Sequence, residues 1–228
     1  MRTKRPAATA TSVAAQSGHP PVGVLTKEEC ARARRVLMRR DPVLAAAIRG
    51  LGPCTIYESR THHPFASLVR ALTSQQLSGK AAATIFNRVL DLVGGRDALT
   101  PANVLDADRQ KLRDAGLSWQ KIGYIRDLSE RVGDGRLALD DLEHRPDAEV
   151  IEAITAVKGF GVWSAEMFLM FRLNRPDIFP IGDLGIVKGT QKLLGMKARP
   201  SPRTMLRAAE RWRPYRTVAA WYLWRILD

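Results

Sequence analysis

The chain has little of what would make it a disulfide-stapled, metal-dependent or membrane-bound protein. Its 228 residues include only two cysteines, Cys30 and Cys54. They are too few for a disulfide framework and too far apart for a four-thiolate zinc or iron–sulfur site. The four histidines lack metal-ligand spacing: His62 and His63 are adjacent, and His19 and His144 stand alone. No catalytic metal and no cofactor are therefore expected. No apolar run approaches the roughly 20 residues that a membrane-crossing helix needs, and no secretory signal with an apolar centre opens the chain. The expectation is a cytoplasmic monomer with no membrane partner. Strand-like alternation of β-branched residues is almost absent as well.

Acidic residues are scarce beside basic ones, at 23 Asp and Glu against 36 Lys and Arg, for a formal charge of +13. Residues 1–23 contain no acid, are rich in Ala, Thr, Ser and Pro, and show no periodicity, so they are expected to form a flexible basic tail. Residues 24–228 are expected to form the folded domain. Only Arg2, Lys4 and Arg5 carry charge in the tail, so most of the positive excess belongs to the folded part. Clustered Lys and Arg gain binding free energy by displacing counterions from phosphates, which points to a polyanionic partner.

Helix start and stop signals recur through the rest of the chain. Thr26 followed by Glu29 is a capping box. Asp41-Pro42, Thr100-Pro101 and Ser201-Pro202 each place a capping residue before a proline, whose missing N–H costs nothing at the first helical position. Gly50, Gly94 and Gly195 stand where helices are expected to stop. Phe65, Leu68, Val69 and Leu72 follow the i, i+3, i+4, i+7 spacing of one buried helix face. About ten short helices are predicted, giving an all-α fold, and only Thr55 to Tyr57 resembles a strand. A division into two helical lobes, with the middle of the chain in one and its ends in the other, would create a cleft.

In "ITAVKGFGVWSA" an apolar helix face closes at Ile154 and Val157, Lys158-Gly159-Phe160-Gly161 make a tight turn, and a new helix starts at Val162. Glycines at 159 and 161 permit positive φ and close approach of another backbone. The amides of such a turn, together with the N-terminal dipole of the next helix, form an anion site suited to a DNA phosphate, and Lys158 adds a charge beside it. An ordinary glycine-containing helix link remains the alternative.

The residues around the turn supply more. "GFGVWSAE" is followed some twenty residues later by "RPDIFPIGDLGI", and is preceded by "LVRALTSQQLSGKAA" and "GLSWQKIGYIRDL". Together these resemble the helix-hairpin-helix DNA glycosylase superfamily that carries a Gly/Pro-rich loop and an aspartate after the hairpin. They resemble in particular its DNA-3-methyladenine glycosylase II branch, over roughly residue 65 to the C-terminus. The resemblance implies base-excision repair: hydrolysis of the N-glycosidic bond of alkylated purines in double-stranded DNA. Two other readings stay open, a DNA-binding protein without catalysis and a glycosylase for uracil, hypoxanthine or etheno adducts.

The same resemblance assigns roles. Asp183 is the essential carboxylate, stabilising the oxocarbenium-like sugar or orienting water; it also stands at a predicted helix start, where it would be an N-cap. An alkylated purine is already cationic and leaves without an acid, so one carboxylate suffices, and the nearby Glu166 is read as structural. Trp163 and Trp221 match aromatic positions of a base pocket, completed by Phe160 and Met167, while Trp212, Tyr222 and Trp224 are assigned to the core. Met167 stands where some relatives carry an aromatic residue. Relatives that also cut the strand use a lysine nucleophile at the position of Trp163, which implies a monofunctional enzyme here. The wedge that fills the hole left by a flipped base falls on Gln76, with Gln75 second. The hairpin carbonyls are a place for a structural monovalent cation. Lys188 and Lys192 are candidates for phosphate contact or plain surface.

Overall fold

The computed structural model describes residues 23–59 and 63–228, so the expected tail lies outside the described residues but for Gly23. Twelve α-helices and three short 3-10 turns account for the regular structure, and no strand occurs among the described residues. The helices are α1 (Lys27–Arg40), α2 (Pro42–Leu51), α3 (Pro64–Ser74), α4 (Gly79–Leu92), α5 (Pro101–Asp106), α6 (Arg109–Asp114), α7 (Trp119–Gly133), α8 (Asp147–Thr155), α9 (Val162–Phe171), α10 (Leu184–Leu193), α11 (Pro202–Ala209) and α12 (Arg216–Arg225). None of those described is long and apolar enough to cross a membrane.

The capping chemistry sets most of the boundaries. The hydroxyl of Thr26 accepts from Glu29 N–H to start α1, and Thr100 and Ser201 do the same for α5 and α11. Asp41 caps α2 by accepting from Val43 and Leu44 N–H. Its second oxygen accepts from the fully buried Trp212 indole at 2.9 Å, which ties the start of α2 to the C-terminal part of the chain. Gly94 and Gly195 take positive φ just past α4 and α10, as expected of helix stops. Gly50 does not end its helix: α2 runs on to Leu51, and the left-handed residue is Gly52, with φ 79°. Thr55 to Tyr57 forms no strand either, because Ile56–Ser59 closes as a 3-10 turn.

Packing brings the two ends of the chain together, with α1 and α2 against α12 and α10 against α12. The middle of the chain packs around α7, which contacts α3, α5 and α6. One contiguous cluster of buried apolar side chains runs through both groups, so the helices share a single core. In α3 the predicted face is buried throughout, with Phe65, Leu68, Val69 and Leu72 all at 2% exposure or less. Each such side chain contributes about 1.5–3 kcal/mol relative to an exposed one. That burial fixes α3 against α4 and α7, and residues of α3 and α9 line one cavity.

Candidate active site

The segment leading to Asp183 is held from below before it reaches the surface. Arg175, 1% exposed, donates to the carbonyls of Leu142, Glu143 and Arg145 and pairs with Asp147 at 3.4 Å. Thr217 of α12 accepts from Ile178 N–H at 2.9 Å and donates to the Arg175 carbonyl at 2.6 Å. Arg216 clamps Asp177 through two bonds, at 2.8 and 2.9 Å. With its lower half anchored in this way, the chain turns at Pro180 and delivers Asp183 to the N-cap of α10, where Oδ1 accepts from Ile186 N–H at 2.8 Å.

Two tryptophans complete the carboxylate's surroundings. Trp224 Nε1 donates to Oδ1 at 2.8 Å, and Trp163 Nε1 donates to Oδ2 at 2.8 Å. Asp183 is therefore both a helix cap and a carboxylate oriented by three donors. Trp224 reaches it because Gly185 and Gly189, four apart on α10, let α12 come close. A Cβ at 185 would stand 2.6 Å from Trp224 Cδ1, and one at 189 would stand 2.3 Å from the Leu223 carbonyl oxygen. The assignment of Trp224 to the core is corrected here. It stacks on Phe171 with ring centroids 5.7 Å apart, yet its N–H belongs to the site. Trp221, the expected pocket residue, instead sits edge-on to Tyr222, with the Arg225 guanidinium over its ring.

Beside Trp163, the partner of Asp183, opens a cavity of about 490 Å³ between α3 and α9, lined by Ala71, Ser74, Gln75, Gln76, Gly159, Trp163, Ser164 and Met167. An adjoining hollow shares Ala71, Ser164 and Met167 and runs on to Phe168 and Phe171. Trp163 is 49% exposed, so a ring face remains free after its N–H is engaged. Met167 lines the cavity. Phe160 does not: it is 8% exposed and packs into the core.

The hairpin joins α8 to α9. Gly159 has φ 88°, and a Cβ there would fall 2.2 Å from the Tyr124 ring, so both conformation and space demand glycine. Gly161 differs from the expectation. Its φ is −115° and nothing lies within 4 Å of its Cβ direction, so neither its conformation nor the space inside the protein demands glycine there. The N–H of Lys158 donates to Asp127 and that of Phe160 to the Val157 carbonyl. The Lys158 ammonium lies 3.6 Å from Asp127, which binds part of the charge expected for phosphate. α9 has no side-chain cap, and its first-turn amides, lacking intrahelical acceptors, open toward solvent beside Gly161. The Val157 and Gly159 carbonyls each accept one hydrogen bond, from Phe160 N–H and the Gln75 amide, and each keeps a lone pair with which a monovalent cation could be bound. Among the described residues no group of three His, Cys, Asp or Glu could hold a metal.

This hairpin, its uncapped following helix and the oriented carboxylate twenty residues on coincide with a known family. A protein-family model described as "HhH-GPD superfamily base excision DNA repair protein" matches residues 69–214. The chain belongs to the HhH-GPD superfamily. It is 37% identical over 163 residues to DNA-3-methyladenine glycosylase 1 of Schizosaccharomyces pombe, covering 71% of this chain and 72% of that protein. Among solved structures, the DNA-3-methyladenine glycosidase of Bacillus halodurans superposes with a TM-score of 0.78 at 38% identity, over 88% of this chain and 90% of that one. The S. pombe 3-methyladenine DNA glycosylase, solved in complex with abasic DNA, gives 0.72 at 33% identity, over 85% and 95%.

Within the HhH-GPD frame, Gln75 and Gln76 separate in role. The Gln75 amide donates to the Gly159 carbonyl at 2.8 Å, which makes it a tie between α3 and the hairpin. Gln76 is exposed and left-handed, with φ 58°. Beside it Leu77 exposes an apolar side chain, at 40%, that the sequence reading passed over. Lys192 donates to the Ile226 carbonyl at the end of α12, a structural bond, while Lys188 is exposed. Glu166, one turn along α9 from Trp163, is half-buried. Its carboxyl is pushed up to about 7, first by burial and then by the charge of Asp183. It therefore belongs to the electrostatics of the site and is more than a helix-surface acid.

Proposed function

We propose that this protein is a monofunctional DNA glycosylase that hydrolyses the N-glycosidic bond of alkylated purines, of the 3-methyladenine and 7-methylguanine type, in double-stranded DNA. One observation carries the reading: Asp183 is oriented by Trp163, Trp224 and Ile186, and Trp163 also lines the cavity between α3 and α9. The hairpin amides and the first turn of α9 hold a backbone phosphate. Gln76 fills the space left in the duplex, and the extruded base stacks on the free face of Trp163 above Met167. A cationic purine gains cation–π attraction there, worth about 0.5–2 kcal/mol. As its bond to the sugar lengthens, positive charge grows on the deoxyribose next to Asp183, which stabilises it and orients water on the open face. The leaving purine is already charged and needs no proton, so a single ionised carboxylate is enough. Position 163 carries no amine, so no Schiff base forms and an abasic site is left. The protein acts as a cytoplasmic monomer.

The test is release of free base from methylated duplex DNA. Wild type is expected to free alkylpurine without cutting the strand and without trapping by borohydride, and Asp183→Asn to bind the same DNA and free none. A panel of defined lesions separates alkylpurines from uracil, hypoxanthine and etheno adducts. Turnover that survives in Asp183→Asn would overturn the reading.

A further inference from the structure

The segment "GLSWQKIGYIRDL" carries the family resemblance, but none of the chemistry above uses it. In the structure it is the first part of α7, and one stripe of that helix meets both DNA-facing turns. Lys121 Nζ donates to the carbonyls of Thr73 and Gln75, each at 2.7 Å, at the C-terminal end of α3. One turn on, Tyr124 fills the space that the missing side chain of Gly159 leaves. One turn further, Asp127 accepts from Lys158 N–H at 3.0 Å and is braced by Arg131 at 2.9 Å. The spacing 121, 124, 127 and 131 is one face of a helix.

Gln75 is the meeting point of this arrangement. Its carbonyl is held by Lys121, and its amide is bonded to the Gly159 carbonyl at 2.8 Å. The next residue, Gln76, takes the left-handed conformation that non-glycine residues rarely adopt, and such a conformation persists only where the surroundings over-determine it. Thr73 lies in the last turn of α3, whose carbonyls have no intrahelical partner, Gln75 is the C-cap, and an ammonium is a favoured group at that end of a helix dipole. Burial lowers the Lys121 ammonium from the ordinary lysine value, which is the cost of holding the charge partly out of water, and the two carbonyls offset that cost by accepting from it.

We propose that Lys121 is a positioning residue for base extrusion: by clamping the end of α3 it sets Gln76 in register with the hairpin, so that the wedge enters the duplex where the hairpin holds the phosphate. The inference rests on the glycosylase reading and deepens it. It predicts a selective loss, because single-stranded substrate leaves no hole to be filled.

The test compares Lys121→Met, Lys121→Arg and Gln75→Ala with wild type, each checked for folding by thermal melting. Lys121→Met is expected to slow excision from methylated duplex by about tenfold while leaving excision from the same single strand within about twofold, the loss of two charge-assisted bonds acting only through the wedge. Lys121→Arg, which can donate to both carbonyls, restores most of the duplex rate. Gln75→Ala cuts the tie to the hairpin while leaving Lys121 in place and is expected to slow duplex excision less than Lys121→Met does, which also serves if the methionine variant does not fold. A readout independent of turnover is 2-aminopurine placed opposite an abasic analogue. Wild type should change its fluorescence on binding, and Lys121→Met should bind without the full change. Equal losses on duplex and single strand, or an undiminished fluorescence change in Lys121→Met, would overturn the proposal. Absence of base release by wild type, with the fluorescence difference intact, would refute the glycosylase reading alone.

Discussion

The indole N–H of Trp163 donates to Oδ2 of Asp183 at 2.8 Å, so the residue proposed to stack on the base also orients the carboxylate. The two come from different elements, the first turn of α9 and the cap of α10. Their union couples the placement of the hairpin to the placement of the charge: whatever orients α9 also orients Asp183. Trp224, donating to the other oxygen, ties the same carboxylate to α12.

Asp183 can be tested for catalysis apart from stability. Asn is as good an N-cap as Asp, so Asp183→Asn should melt close to wild type, whereas Asp183→Ala should lose about 0.5–2 kcal/mol. At this chain length about 1 kcal/mol corresponds to roughly 2–4 °C in Tm. Both variants should lose base release by about 10²-fold or more, the scale of removing a preorganised electrostatic partner from a transition state. Equal Tm values for the two variants would show that the cap had been misjudged, and base release retained by either would show that the charge had.

Trp163 performs two tasks that substitution can divide. Trp163→Phe keeps an aromatic face but removes the donor to Oδ2, and Trp163→Ala removes both. Each task is worth about 1–2 kcal/mol, so the phenylalanine variant should lose roughly 5–30-fold in kcat with little change in KM, and the alanine variant a further loss that appears in KM as well. Steady-state kinetics on a defined methylated duplex measures the split.

Much of this was legible in the chain, for physical reasons that differ residue by residue. Caps at Thr26, Asp41, Thr100 and Ser201 act locally, so sequence order alone reveals them, and the α3 face follows from helical period. Trp163 and Met167 line one cavity, and Asp183 is joined to Trp163 by a hydrogen bond. The misplaced residues are those whose role depends on how helices cross. Trp221 and Trp224 lie less than one turn apart, and which of them reaches Asp183 is decided by the close contact of α10 with α12. The Gly185 and Gly189 spacing carried that signal. Phe160 follows a glycine in the left-handed conformation, which turns its side chain inward, and the burial of Glu166 arises from tertiary packing that no local pattern encodes.

Glu166 gives the protein a predicted pH dependence. Its carboxyl is raised from an ordinary 4.5 to about 7 in the folded state, by burial first and the Asp183 charge second. Below the ordinary value both folded and unfolded states hold the proton and nothing is lost. As pH rises between the two values the unfolded chain ionises while the folded protein keeps its proton, so this group makes stability fall through that window. Glu166→Gln, neutral at every pH, should flatten the decline and be more stable than wild type above about pH 7, converging with it in acid. Denaturant titrations across the window measure the difference, and parallel curves for the two proteins would contradict it.

The last prediction concerns Gly185 and Gly189, which lie on the same face of α10 but meet different atoms. At 189 a methyl group would meet the Leu223 carbonyl oxygen at 2.3 Å and its carbonyl carbon at 2.8 Å, both backbone atoms that cannot swing aside. Gly189→Ala must therefore push α10 from α12, at about 1–3 kcal/mol, partly offset by the better helix propensity of alanine. At 185 the methyl would meet Trp224 at Cδ1 and Nε1, at 2.6 and 2.8 Å, which are side-chain atoms that can rotate away. Gly185→Ala should therefore cost less stability, but it should break the bond from Trp224 to Asp183 and lower base release more than its Tm implies. The pair thus separates two effects of the same helix crossing: Gly189→Ala should lower Tm with activity following the folded fraction, and Gly185→Ala should lower specific activity with Tm nearly held. If the two variants show the same ratio of activity loss to Tm loss, Trp224 packs beside the carboxylate without helping to aim it.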